Sequence, residues 1–181
     1  MKAAFEGGGG LHAAWRTNDR VTAYLVESLP DALWEQAVPG CPRKTVRGIL
    51  AHVHNSRSSW IKALGAKHGV AVPARVDPQR VTRAQLARAL ARSGRGIAAV
   101  LDLGLARGGA VPRALWQNFP PDVVHYVCYF VAHEAHHRGQ IALVARQLGH
   151  PLKEIGYGLW QWTVRAKERP ARPARGVGRR P

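Results

Sequence analysis

Four long segments of this 181-residue chain place apolar residues at the three- and four-residue spacings of an α-helix. The segments run from Leu11 to Leu29, from Thr45 to Gly65, from Thr82 to Leu105 and from Asp122 to Leu148. Proline- and glycine-containing stretches separate them, and the chain shows neither the alternating pattern of a half-buried strand nor an internal repeat. Helices with one apolar face bury those faces against one another. The sequence therefore predicts an all-α protein, a four-helix bundle.

The ends of these helices carry local signals. Asp122, preceded by two prolines, is positioned to begin the fourth helix, and Gly149 with Pro151 beyond it is positioned to end that helix. Thr45 and Thr82 are the predicted N-caps of the second and third helices. The fourth helix is the most sharply bounded of the four.

The segments outside the helices divide the chain into one domain with two flanking pieces. A length of 181 residues with 46% hydrophobic residues suits a single core. We predict a flexible N-terminal lead over residues 1–10, the bundle over 11–163 and a basic disordered tail over 164–181. From Arg165 onward the tail carries seven basic residues and one acidic residue, part of a formal net charge of +16. We interpret the tail as solvated, with only an incidental attraction for nucleic acid.

The N-terminus, the longest apolar run and the cysteines all bear on where in the cell the protein is located. The opening MKAAFEGGGG lacks the apolar stretch of ~7–15 residues that a signal peptide needs. The longest apolar run, residues 123–133, is interrupted by His125 and is shorter than the ~18 residues of a membrane span. Cys41 and Cys128 form no close pair, which suits a reducing compartment. We therefore expect a soluble, cytoplasmic protein that does not contact membranes.

Two histidines of the fourth helix are candidate metal ligands. His133 and His137 lie four residues apart on one helical face, which they share with Phe130, Ile141 and Val144. That face is predicted to point into the bundle, where an imidazole without a partner costs about 1–3 kcal/mol. A divalent metal ion would satisfy both rings, and hydrogen bonds to backbone or water are the alternative.

The second helix offers the third ligand that an open, catalytic type of site requires. His52 and His54 both fall within its apolar pattern. Residues two apart lie ~200° apart on a helix, so only one of them can normally face a site shared with the fourth helix. Spacing alone leaves both histidines as candidates.

The same letters also spell H-E-x-x-H, the signature of a zinc protease helix with Glu134 as the general base. The metzincin extension of that motif requires a glycine where this chain has Gln140 and a histidine where it has Leu143. Glu154 and Glu168 are poorly placed as a third ligand, because a helix end or the basic tail separates them from the pair. We therefore interpret the protease signature as a coincidence.

Two stretches together resemble a known family. HEAHHRGQIALVARQLGHP, following a helix of the form ILAHVHNSRSSWIKAL, is similar to the DinB/YfiT-like family of bacterial four-helix-bundle metal proteins, over roughly residues 11 to 163. The resemblance implies a divalent metal ion, commonly zinc or nickel, held by the pair His133 and His137 and by one histidine of the second helix. It favours His52 over His54, because the family's helix-two histidine precedes an aromatic residue by eight positions, here Trp60.

The resemblance also bears on the residues around the ligands. Arg138 and Gln140 match the family's string and are expected either to orient the ligands or to pack the helix. A plain surface salt bridge is the alternative for Arg138. Where many relatives carry an acidic residue near position 57, this chain has Arg57.

Characterised relatives include enzymes that use a low-molecular-weight thiol such as bacillithiol or mycothiol. The leading hypothesis is therefore a metal-dependent thiol S-transferase or isomerase that acts on a small-molecule substrate, without a role for Glu134. Cys128 is interpreted as a packing residue and not as a nucleophile. The alternatives are a non-enzymatic metal-binding or stress-response protein whose tail contacts nucleic acid and, third, a metal-dependent hydrolase. The likeness to such relatives and the six tryptophans together predict a homodimer.

Overall fold

Four long helices form the bundle in the computed structural model, which describes residues 7–112 and 119–167. They are α1 (Gly8–Ser28), α3 (Val46–Gly65), α4 (Arg83–Leu105) and α5 (Val123–Gln147). The remaining elements are short: α2 (Asp31–Trp34), the antiparallel strands β1 (Ala37–Val38) and β2 (Cys41–Thr45), a 3-10 turn over Ala66–His68, α6 (Lys153–Trp160) and α7 (Trp162–Lys167). The predicted all-α four-helix bundle is confirmed.

The predicted caps start three of the four long helices. Thr45 Oγ1 accepts a hydrogen bond from the backbone N–H of Gly48 at 3.0 Å. Thr82 forms a complete capping box with Gln85. One carboxylate oxygen of Asp122 accepts the N–H groups of the second and third residues after it, at 3.0 and 2.9 Å. Side chains close in sequence therefore fix where α3, α4 and α5 begin.

The structure extends the helices at both ends of the chain beyond the predicted bundle. Helix α1 begins at Gly8, within the predicted lead. Gly8 packs closely on the side chain of Leu105, since a Cβ atom on Gly8 would lie 3.1 Å from it. Helix α7 reaches Lys167, within the predicted tail, and Arg165 stacks on the ring of Tyr24 with 8% of its surface exposed. The rest of both flanking segments, residues 1–6 and 168–181, lies outside the described residues.

Two apolar clusters fill the bundle, and a layer of polar side chains lies between them along α1, α3 and α5. The first cluster includes Leu25, Leu50, Leu90 and Ile141, and the second includes Trp15, Trp60, Ile97 and Phe130. What we call the polar layer consists of Asn18, Asp19 and Thr22 of α1, Arg57 of α3, and Glu134 and Arg138 of α5.

A glycine of α4 makes room for this layer. A Cβ atom on Gly94 would lie 2.6 Å from a carboxylate oxygen of Asp19, and the carbonyl of Gly94 accepts a hydrogen bond from the indole of Trp15 at 3.0 Å. Helices α1 and α4 therefore approach closely at the level of the layer. Within the described residues, no helix is long and apolar enough to cross a membrane.

Candidate metal centre

Three imidazoles from two helices converge in the groove between α3 and α5. The Nε2 atom of His133 lies 3.2 Å from Nε2 of His52 and 3.2 Å from Nε2 of His137. One nitrogen from each of the three rings falls within 4.8 Å of the other two. The structure thus brings together the three residues that the sequence predicts as ligands.

The spacing of these nitrogens suits a small cation. Zn–N bonds of about 2.0–2.1 Å with tetrahedral angles place neighbouring ligand nitrogens about 3.3–3.4 Å apart, close to the two observed separations. Imidazole nitrogens are ligands that zinc and nickel both accept. Three rings meeting through Nε2 also lack enough N–H groups and lone pairs to satisfy one another without a shared proton or cation. The residues present therefore fit a divalent transition metal.

The surroundings keep these rings neutral, which is the form that binds metal. Burial, together with the neighbouring His137 and His52, lowers the pKa of His133 to about 4. Burial also lowers the pKa of His52, helped by the charges of Lys44 and Arg75. Burial lowers the pKa of His137 as well. At neutral pH all three nitrogens can offer a lone pair.

Side chains on α5 orient two of the rings. The Oε1 atom of Gln140 accepts a hydrogen bond from Nδ1 of His137 at 2.8 Å, which directs the lone pair of Nε2 to the centre. The ring of Tyr129 stacks on His133 with 5.4 Å between centroids and 15° between planes. The Nδ1 atom of His133 is buried and has no hydrogen-bond partner in the described part of the chain. This contact fits the orienting role, one of the two roles expected for Gln140.

His54, the alternative third ligand, points to another side of α3. Its side chain is fully buried, with Nδ1 3.1 Å from Ser93 Oγ and Nε2 2.9 Å from the carbonyl oxygen of Ala74. The ~200° rotation between positions 52 and 54 accounts for the difference. The structure does not bring His54 to the other three imidazoles.

Glu134 lies in the bundle core and not in the groove. Arg57 donates to both of its carboxylate oxygens at 2.7 Å, and the Oε2 atom also accepts from Asn18 at 2.9 Å and from Thr22 at 2.7 Å. Both charged side chains are fully buried. Burial alone would raise the pKa of this carboxyl, but the charge and hydrogen bonds of Arg57 hold it below its usual value. Within the described residues, the hydrogen bonds of this carboxylate go to Arg57, Asn18 and Thr22 and not to the three imidazoles, so its position does not fit a protease base.

Arg138 belongs to the same buried network. Its Nη1 atom donates to Asn18 Oδ1 at 3.0 Å and to Thr22 Oγ1 at 2.7 Å, and it lies 3.8 Å from Glu134 Oε2. These contacts place Arg138 with the packing of α5 against α1, one of the two roles expected for it. No hydrogen bond joins its guanidinium to the three histidines within the described residues.

The pairing of Arg57 with Glu134 was not anticipated, although a signal for it exists. Position 57 falls among the buried positions of α3 and position 134 among those of α5, so the sequence places opposite charges on two core faces. Glu134 also sits four residues after the buried Phe130, on the same face of the helix. A charged residue on a core face needs a partner, and these two are partners for each other.

The cysteines lie on the surface. Cys128 is exposed, so the prediction that it packs in the core is wrong. Helix α5 buries Tyr126, Val127 and Phe130 and turns position 128 to solvent. Cys41, on β2, is exposed as well. The ring of His133 nevertheless faces the groove and not the side that carries Cys128, as the spacing predicts.

Comparison with known proteins places the chain in one family. The model described as the DinB family matches residues 9–169, from the second residue of α1 to just beyond α7, with all three converging histidines inside the match. No curated protein and no solved structure matches the chain. The family and the three-histidine group together fit a metal-binding protein of this type.

Proposed function

Because the chain belongs to the DinB family, we propose that it binds one divalent metal ion through His52, His133 and His137 and uses it in a thiol-dependent reaction. The observation that carries the proposal is the convergence of three imidazoles from two helices, with Nε2 of His133 lying 3.2 Å from Nε2 of both His52 and His137. Zinc and nickel are the metals proposed, and a low-molecular-weight thiol is the proposed cosubstrate. The reaction is proposed to be an S-transfer or an isomerisation of a small molecule.

The donor set supports thiol chemistry. Three neutral ligands leave the full charge of a divalent ion, which would lower the pKa of an incoming thiol and stabilise its thiolate. His52 is exposed, so the groove is open to solvent on the side of α3. The chain supplies three ligands and leaves room for another, as catalytic sites do.

Within the part of the chain that the structure describes, neither the two cysteines nor Glu134 forms a hydrogen bond to the three imidazoles. Both cysteines are exposed elsewhere on the surface. The oxygens of Glu134 are taken up by Arg57, Asn18 and Thr22. An added thiol is therefore a better candidate nucleophile than any residue of the protein.

Metal binding is the first test. We expect one zinc or nickel ion per chain by elemental analysis of protein purified without an affinity tag and reconstituted with the metal. His133→Ala or His137→Ala should abolish binding, and His52→Ala should weaken it far more than His54→Ala. His150→Ala is the control, because His150 is an exposed histidine just beyond the end of α5. Protein without bound metal after reconstitution would refute the proposal.

Thiol dependence is the second test. The metal-loaded protein would be incubated with the electrophile monochlorobimane and a panel of bacterial thiols. Conjugation that is lost in His137→Ala and retained in Cys128→Ser supports the proposed function. Activity without thiol that disappears in Glu134→Gln, while the variant still binds metal, would favour a metal-dependent hydrolase.

A non-enzymatic role is the second candidate function, and the charge of the C-terminal segment favours it. Seven basic residues lie between Arg165 and the C-terminus, against one acidic residue. Arg165 packs on Tyr24, so a truncation should remove only residues 168–181. Salt-sensitive DNA binding that this truncation abolishes and His137→Ala leaves intact would support a metal-binding stress protein that contacts nucleic acid.

A further inference from the structure

The segment that joins α3 to α4 is fastened along the flank of α3. The carbonyl oxygen of Ala74 lies 2.9 Å from the Nε2 atom of His54. Asn55 exchanges two hydrogen bonds with the backbone of Val76, at 3.0 Å to its carbonyl and 2.9 Å from its N–H. These contacts bracket Arg75, so the backbone from which its side chain extends is fixed relative to α3.

The guanidinium of Arg75 is held on the same face of α3 as His52. Its Nη1 atom donates to Ser59 Oγ at 2.9 Å and lies 3.5 Å from the carbonyl oxygen of Asn55. Positions 52, 55 and 59 share one side of a helix. At 1.5 Å per residue, Asn55 and Ser59 lie roughly 5 and 10 Å along the axis from His52. A small ligand bound at His52 can span that distance.

A second cation lies toward the other end of α3. Lys44 is exposed on β2, directly before the N-cap of α3. The residues from Val46 to His52 rise roughly 9 Å along the axis of α3, so Lys44 precedes His52 by about two helical turns. Lys44 and Arg75 therefore flank His52 along α3, one toward each end of the helix.

Neither Lys44 nor Arg75 has a carboxylate partner among the residues that the structure describes. Within residues 7–112 and 119–167, carboxylates pair with several arginines, namely Arg20, Arg47, Arg57, Arg80, Arg83 and Arg138, but with neither Lys44 nor Arg75. Glu134, the acidic neighbour of His133 along the chain, is already bound by Arg57 through both carboxylate oxygens. Arg75 donates to α3 through Nη1 alone. The other N–H groups of its planar guanidinium remain available to a carboxylate or a phosphate.

We infer that the molecule that binds beside the three histidines carries an anionic group, a carboxylate or a phosphate, which Arg75 and Lys44 receive. The inference rests on the proposed function, since it names the class of the thiol or substrate that the site takes. The guanidinium of Arg75 is held in place by α3 and has no carboxylate partner among the described residues. Such a group beside the metal site attracts anions and repels cations. Neutral thiols of the same size should bind more weakly.

The test compares anionic thiols with their neutral isosteres on protein loaded with cobalt(II), whose visible spectrum reports on thiol binding. The probes are 3-mercaptopropionate and 6-mercaptohexanoate with their primary amides, titrated without oxygen. The wild-type protein should bind at least one of the acids about tenfold more tightly than its amide. Arg75→Gln and Lys44→Gln should each reduce that preference, and together they should remove it. Arg16→Gln, which changes an exposed arginine of α1, should leave the preference intact.

The outcomes separate the inference from the proposed function. Equal affinities for acid and amide would overturn the inference while thiol binding still supported the function. A preference that persists in the double variant would also overturn the inference, because the carboxylate would then be bound by the metal alone. If cobalt binds and neither kind of thiol changes its spectrum, the thiol function fails and the inference fails with it. Competition by acetate or by inorganic phosphate identifies which anion the wild-type site prefers.

Discussion

His133 and Glu134 are neighbours in the chain whose side chains point in different directions from α5. A rotation of about 100° per residue turns His133 to the groove shared with His52 and turns Glu134 into the bundle. There Glu134 meets Arg57 of α3, five residues after His52. The ion pair and the imidazole cluster therefore join the same two helices, so the position of α3 against α5 governs both.

The first residue-scale prediction concerns this ion pair. Glu134→Gln should lower the free energy of unfolding by about 3 kcal/mol, because it leaves the buried charge of Arg57 short of a partner. Urea denaturation followed by circular dichroism measures the change. Replacing both residues, with Arg57→Met and Glu134→Leu, should be less destabilising than Glu134→Gln alone. A loss below 0.5 kcal/mol, the size of a typical surface effect, would show that Asp19 alone satisfies Arg57.

Individual residues differed in how far the sequence predicted them. The spacing of His133 and His137 marks them as a pair because it depends only on the geometry of one helix. His52 could be chosen over His54 only through the resemblance to a family, since either ring could face a neighbouring helix. Arg57 and Glu134 are 77 positions apart, and their pairing depends on how α3 packs against α5. Spacing along one helix carries no record of that packing.

At the scale of the element, the start of α5 depends on Asp122. Its carboxylate accepts two backbone N–H groups and lies 2.7 Å from Nδ1 of His125. Although burial acts to raise it, these hydrogen bonds and the His125 charge lower the pKa of Asp122 below its usual value. The folded state therefore favours the charged carboxylate, and the cap contributes most of its stability above the unfolded pKa of about 3.9.

Asp122→Ala should lower the free energy of unfolding at pH 7 by about 1 kcal/mol. The difference from wild type should shrink as the pH falls through the lowered pKa of the folded state, because protonation removes the acceptor in the wild type as well. Asp122→Asn is the control, since asparagine is also a good N-cap and does not titrate. Denaturation curves between pH 3 and 7 would contradict the prediction if the difference stayed constant.

The ends of elements show why local signals predict some boundaries and not others. The caps of α3, α4 and α5 are made by residues within three positions of the helix start, so the sequence contains them. The start of α1 at Gly8 has no side-chain cap, and that glycine lies against Leu105 of α4, almost a hundred residues away. A run of four glycines predicts flexibility unless such a tertiary contact is known.

At the scale of the whole molecule, the tryptophans are divided between core and surface. Trp15, Trp34 and Trp60 are buried, whereas Trp160 and Trp162 are 76% and 54% exposed. The last two stack with 6.1 Å between ring centroids, at the junction of α6 and α7. Trp116 lies outside the described residues.

The homodimer stays a prediction, and these rings give it a test. Light scattering should report twice the mass of one chain, because two large exposed rings side by side favour burial against a partner. Trp160→Ser combined with Trp162→Ser should shift the protein to a monomer. Leu143→Ser is the control, as Leu143 is a solitary apolar residue with 57% exposure. A mass of one chain at every concentration of the wild-type protein would contradict the prediction.

Warming should change the balance between the polar layer and the two apolar clusters that enclose it. Charged groups are hydrated less favourably as temperature rises, so removing Arg57 and Glu134 from water is less unfavourable in hot solution than in cold. The stabilisation from each unit of buried apolar area levels off over the same range. The charges at the centre of the bundle thus favour the folded state least in the cold and most near its melting temperature. The polar layer would therefore contribute more to protein stability in an organism that grows at high temperature than in one that grows at low temperature.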